Sequence, residues 1–154
     1  MSNLKNILIY ILNNYPHKDD LSNARLTKLV YLSDWYHAIH NKKQISTINW
    51  YFDNYGPFVW DIYKQAQDSE TFKVHLTKNI YGKEKKLITL KEDISSNIPD
   101  VEKISIDKII DSTQSLNWDE FIKLVYSTYP ILTTEKYNFL NLIEKAEEHV
   151  LSKQ

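Results

Sequence analysis

Apolar residues at Leu4, Ile7, Leu8, Ile11 and Leu12 recur at three-and-four spacing, which predicts a helix with one buried face ending near Tyr15-Pro16. Ser22 and Asn23 are N-cap residues for a second helix. Its Leu26, Leu29, Val30, Ser33, His37 and His40 share one stripe, and Tyr31, Trp35 and Ile39 share the adjoining one. A helix apolar on two adjoining stripes is largely buried. Ile45 to Phe52 is rich in β-branched and aromatic residues and predicts a short extended segment, which Tyr55-Gly56-Pro57 stops. Pro57 suits the first turn of a third helix, from Phe58 to about Gln67, with Phe58, Ile62 and Ala66 on one stripe. The period then changes to two. Phe72 to Thr77 alternates, Asn79 to Lys83 supplies a turn, and Leu87 to Leu90 resumes, which predicts an antiparallel β-hairpin. Glu92 to Val101 reads as a linking loop, with helices resuming at Ser105. Their faces are Ile106, Ile109 and Ile110; then Phe121, Leu124 and Val125; and, beyond a break at Tyr129-Pro130, Tyr137, Leu140, Ile143 and Ala146 or His149 and Val150. The expected fold is mainly α (α+β): a compact multi-helix domain with a small antiparallel hairpin in the middle of the chain, all of residues 1–154 forming one domain.

Composition narrows the chemistry. The 154 residues contain no cysteine, which excludes disulfide scaffolds, thiolate zinc sites and cysteine nucleophiles. The formal net charge of −1 offers no long-range attraction to a polyanion. The single arginine, Arg25, leaves little for bidentate contacts to phosphate or guanine, so nucleic acid is not the expected partner. No apolar run approaches the roughly 20 residues of a membrane span, and the first residues lack a signal-peptide pattern. A soluble, cytoplasmic protein is expected.

Three constellations bear on function. Asp34, His37 and His40 lie on one side of the second helix, where a metal-dependent enzyme would hold its ion. The His-Glu-x-x-His pattern that would complete such a site is missing, and the expectation is no metal, no cofactor and structural roles for Asp34 and His37, which hold the second helix to the Trp50–Pro57 segment by hydrogen bonds. With two glycines in the chain, one of them before a proline, there is neither a phosphate-cradling loop nor a nucleophile turn. No catalytic residue is therefore assigned, and the chain is not expected to be an enzyme. The third constellation is aromatic: ten rings fall between Tyr31 and Tyr63. Such a concentration exceeds what one small core needs, and the surplus predicts rings facing a protein partner. Trp60, off the stripe of the third helix, is the expected anchor.

Lys28, Leu29, Tyr31, Asp34 and His37, followed by Trp50, Tyr55, Gly56, Pro57, Asp61 and Tyr63, resemble the pattern of the Panacea, or SocA-like, antitoxin domain family. The resemblance is clear over about residues 4–68. Near Ser127-Thr128 the chain lacks the His of the family's Ser/Thr-His element. The resemblance implies the antitoxin of a toxin–antitoxin pair, which neutralises a cognate protein toxin by direct contact or delivers it to a protease. It makes Lys28, Leu29, Tyr31, Asp34, His37, Trp50, Tyr55, Gly56 and Pro57 the motif's structural residues. Lys28, Trp60, Asp61 and Tyr63 are then the expected partner contacts. The competing readings are a small nucleic-acid-associated transcriptional regulator, a phage-associated accessory protein and the metal-dependent enzyme.

Overall fold

A computed structural model describes residues 2–154. Among the described residues there are seven α-helices, about half of the chain, and two small antiparallel two-stranded sheets. The mainly α architecture with a mid-chain hairpin is thus the one the periodicity predicts. Helix α1 spans Leu4–Asn14, with the Asn3 side chain accepting from Asn6 N–H. Helix α2 spans Asn23–Asn41, with Ser22 accepting from Arg25 N–H. Both caps satisfy N–H groups that a helix cannot satisfy internally.

The middle of the molecule is α2, which packs against α1, α3 (Asp61–Ala66), α4 (Asp100–Thr113), α7 (Leu142–Ser152) and the second hairpin strand. Neighbours on so many sides explain why α2 has almost no polar face: Leu26, Leu29, Tyr31, Lys28, Asp34 and His37 are all buried. The hairpin strands are β3 (Phe72–Lys78) and β4 (Glu84–Leu90), in register from Phe72 opposite Leu90 to Lys78 opposite Glu84. Two strands alone are marginal in water. Here Ile88 N–H donates to Leu21 C=O at 3.0 Å, and Phe72 and Ile88 are buried in the single core cluster.

Three expected elements are corrected. Phe58 does not begin the third helix. Phe52–Asp53 (β1) pairs with Gly56–Pro57 (β2), and Phe58 N–H donates to Tyr51 C=O at 2.9 Å. The chain is thereby held extended until Trp60, and α3 starts at Asp61. Helix α4 begins at Asp100 rather than Ser105, because Pro99 ends the extended loop and Asp100 and Glu102 suit the positive end of the helix dipole. The last helix begins at Leu142 rather than Tyr137. Tyr137 N–H donates to Phe52 C=O, Phe52 N–H to Asn138 C=O, and Leu140 N–H to Trp50 C=O, so residues 137–140 form a strap along residues 50–52. Before the strap come α5 (Trp118–Tyr126) and the short α6 (Tyr129–Leu132), whose first turn accommodates Pro130.

Candidate functional site

Lys28, Tyr31 and Asp34 are three residues apart on α2 and face the segment from Ile45 to Phe58 and the end of α5. Asp34 is fully buried and no cation pairs with it among the described residues. Its carboxylate accepts from Ile45 N–H at 3.0 Å, Ser46 N–H at 2.9 Å, the Ser46 hydroxyl, and Trp50 Nε1–H at 2.8 Å. Burial pushes the Asp34 carboxyl above the usual carboxylate range, and these four donors pull it back. The residue is a knot that fastens the chain leaving α2 back onto α2.

Tyr31 continues this face. Its ring meets Trp50 edge-on at 5.4 Å, and its hydroxyl lies 2.8 Å from Thr128 Oγ1. Thr128 donates to Val125 C=O, which leaves the Tyr31 hydroxyl to donate to Thr128. Leu29 is buried in the core cluster. Gly56, with φ of 99°, sits in the left-handed region, and a Cβ there would meet the Tyr126 ring at 3.4 Å. Pro57 is buried beside it, opposite Phe52.

His37 turns elsewhere. Its Nδ1 lies 2.8 Å from Ser105 Oγ on α4 and 3.1 Å from Asn41 Nδ2, so it does not hold the Trp50–Pro57 segment as expected. The Nε2 of the same ring is buried without a partner among the described residues. Burial pushes the His37 imidazole below its usual value, against the field of Glu102. His40 is exposed, stacks on Tyr36 and bonds Tyr36 C=O. Asp34, His37 and His40 therefore point to three different partners, and no group of three or more acidic or histidine side chains converges on a metal position among the described residues.

Lys28 differs from the other motif residues. It is only 2% exposed, yet its ammonium makes no hydrogen bond and no ion pair among the described residues, and the end of the side chain is what water touches. Nζ lies 5.9 Å from the centre of the Phe58 ring. Burial pushes the amine down to about 8 from 10.5, with Asp53 partly opposing the shift. Between pH 8 and 10.5 the unfolded chain holds a proton that the folded protein has released, so stability rises with pH across that window. Below it both states are protonated and the full cost of burying the charge is present. We predict that Lys28→Met is more stable than wild type by about 2–3 kcal/mol at pH 7 and loses the rise between pH 8 and 10. Tyr10, raised to about 12, and Tyr31 and Tyr126, also raised by burial, act from pH 10 upward, leaving pH 8 to 10 to Lys28. Urea denaturation at pH 7, 8, 9 and 10 checks both statements, and equal pH profiles for the two proteins would count against them.

Beside Lys28 lies the exposed part of the segment. Of its ten rings, Tyr31, Trp35, Trp50 and Phe52 are buried, whereas Tyr55 is 82% and Trp60 54% exposed. Trp60 meets Phe58 edge-on at 5.0 Å and Tyr63 at 6.1 Å. Asp61 is exposed in the first turn of α3. Two contributions have no counterpart in the sequence analysis. Lys86 of β4 places its Nζ 4.9 Å from the Tyr63 ring and 5.9 Å from that of Trp60, a cation over aromatic faces. From the strap, exposed Phe139 packs on Tyr51, and Tyr137, with φ of 68°, bonds Asn54 at 2.6 Å. The alternation of the hairpin assigns Lys86 to a face, but no sequence signal couples it to Trp60. No helix of the described residues is long and apolar enough to cross a membrane.

A family model described as Antitoxin SocA-like, Panacea domain, matches residues 26–130, which include all the motif positions named above. Neither the curated proteins nor the solved structures gave a match.

Proposed function

Because the chain belongs to the SocA-like Panacea antitoxin domain family, we propose that it is the antitoxin of a toxin–antitoxin pair and neutralises its toxin by direct protein contact in the cytoplasm. The surface assigned to that contact is the exposed ring cluster of Tyr55, Trp60 and Tyr63, with Lys28 and Asp61 as polar contacts. The observation that carries the surface assignment is the exposure of Trp60 and Tyr55 within a segment where Tyr31, Trp35, Trp50 and Phe52 are sunk in the core and the remaining rings are half-buried. Interface energy concentrates in a few aromatic or arginine anchors. The one arginine is 4% exposed and bound to Tyr15, Thr113 and Leu116, so the anchors are aromatic. Nothing in this role requires a catalytic step, and delivery of the bound toxin to a protease would begin with the same contact.

Trp60→Ala is expected to weaken toxin binding by about 2 kcal/mol, roughly 30-fold in Kd, while the fold is kept, because the ring is half in solvent. The product of the adjacent reading frame, co-expressed with wild type and with the variant, gives the test by growth rescue and co-purification, with circular dichroism reporting the fold. Full rescue by the folded variant removes Trp60 as anchor. Failure of wild type to rescue or co-purify removes the antitoxin reading.

A further inference from the structure

We propose that the Lys28 ammonium is a receptor for a carboxylate that the partner protein carries, taken up beside Phe58 between α2 and the Tyr55–Phe58 turn. The inference deepens the antitoxin reading, on which it rests for the identity of the natural partner, by naming the chemical group that the surface takes. A buried ammonium is normally paired, since its three donors lose water on burial. Lys28 has neither a hydrogen bond nor an ion pair among the described residues, although it is only 2% exposed. The charged group whose field it feels is Asp53 on β1, and Asp53 Oδ1 is engaged by Asn54 N–H at 2.8 Å in the turn. Among the described residues no carboxylate reaches the amine within 4.0 Å.

The surroundings select the ligand's class. Lys28 is a lone cation beside the ring of Phe58, with Tyr31 one turn further along α2. One point charge suits a singly charged carboxylate, whereas phosphate calls for several donors or an arginine fork. The neighbouring hairpin, from Phe72 to Leu90, carries five lysines against one glutamate, and its Lys86 borders the same ring cluster. That balance favours a partner whose docking face is acidic. A partner seated on the half-buried Phe58 ring would exclude water from the sunken charge, the setting in which a charge-assisted hydrogen bond contributes most.

The test uses the whole protein, acetate as the carboxylate and inorganic phosphate as the competing anion. Thermal unfolding of wild type and Lys28→Met is followed at pH 7 and constant ionic strength, with chloride as reference. An acetate site with a dissociation constant of about 0.1 M multiplies the folding constant about fourfold at 0.3 M, raising the Tm of wild type but not of Lys28→Met. Titration of the Lys28 amine by NMR is expected to move upward in acetate. Equal responses of the two proteins, no response, or a larger response of wild type to phosphate would each overturn the assignment. With the adjacent reading frame's product, Lys28→Met is expected to lose rescue while remaining folded. If wild type and Lys28→Met rescue equally, the receptor is overturned and the antitoxin reading stands. If wild type fails to rescue, the antitoxin reading falls, and the acetate measurements still decide the receptor.

Discussion

Asp34→Ala is expected to lower the unfolding free energy by about 3–5 kcal/mol, a large part of what a domain of this size has. The loss comes less from the attraction removed than from what is left behind. Ile45 N–H, Ser46 N–H and Trp50 Nε1–H would all be buried with no acceptor, each unsatisfied donor costing roughly 1–3 kcal/mol. Asp34→Asn keeps the shape but turns an NH2 group toward donors, so it should fall between wild type and alanine. Denaturation midpoints against Asp111→Ala, a change at an exposed position of α4, check the order. An Asp34→Ala midpoint equal to that control would remove the knot from the account of how α2 holds the Ile45–Trp50 segment.

Arg25 should show a comparable effect for a different reason. Its guanidinium donates to the Tyr15 hydroxyl at 2.9 and 3.2 Å and to the carbonyls of Thr113 and Leu116 at 3.1 and 3.0 Å, and lies 4.4 Å over the Phe121 ring. One side chain thus ties the end of α1, the start of α2, the C-terminal end of α4 and the body of α5. The carbonyl end of α4 carries the negative end of the helix dipole, which stands in for the missing carboxylate. Arg25→Met is expected to cost about 3–5 kcal/mol, since hydrogen bonds from a charged donor contribute about 1.5–3 kcal/mol each and two carbonyls lose theirs. Arg25→Lys should recover little of it, because an ammonium cannot reproduce the planar fork or the stacking on Phe121. A lysine variant with the stability of wild type would contradict this.

How far these features can be read from the chain depends on how local their causes are. Helices α1 and α2 and the β3–β4 hairpin follow from periodicity and from caps within a few residues, and they stand where the pattern predicts. The motif residues are visible as types at a spacing, but their partners are not. Asp34 binds donors 11 to 16 residues ahead, and His37 reaches Ser105, 68 residues away. Arg25 counts in the sequence only as the single arginine, and its structural role is invisible there because its acceptors Thr113 and Leu116 are brought to it by α4. Phe58 fits a helical stripe with Ile62 and Ala66, and a single long-range bond to Tyr51 C=O overrides that fit. The surplus of rings is legible in composition, whereas which rings stay outside is decided by the packing of β1, β2 and α3.

The strap of residues 137–140 and helix α7 lie beyond Pro130, where the family match stops. The stretch matched by the family therefore does not coincide with the set of elements packed around α2. A chain shortened to the matched stretch would leave the Trp50 and Phe52 carbonyls without their donors and uncover the side of α2 that α7 occupies. Fusion, display or deletion experiments that treat residues 26–130 as a portable unit would remove part of the wall against which the tyrosine and tryptophan rings are set. The C-terminal segment is in this respect part of the mould that holds the shared motif in place.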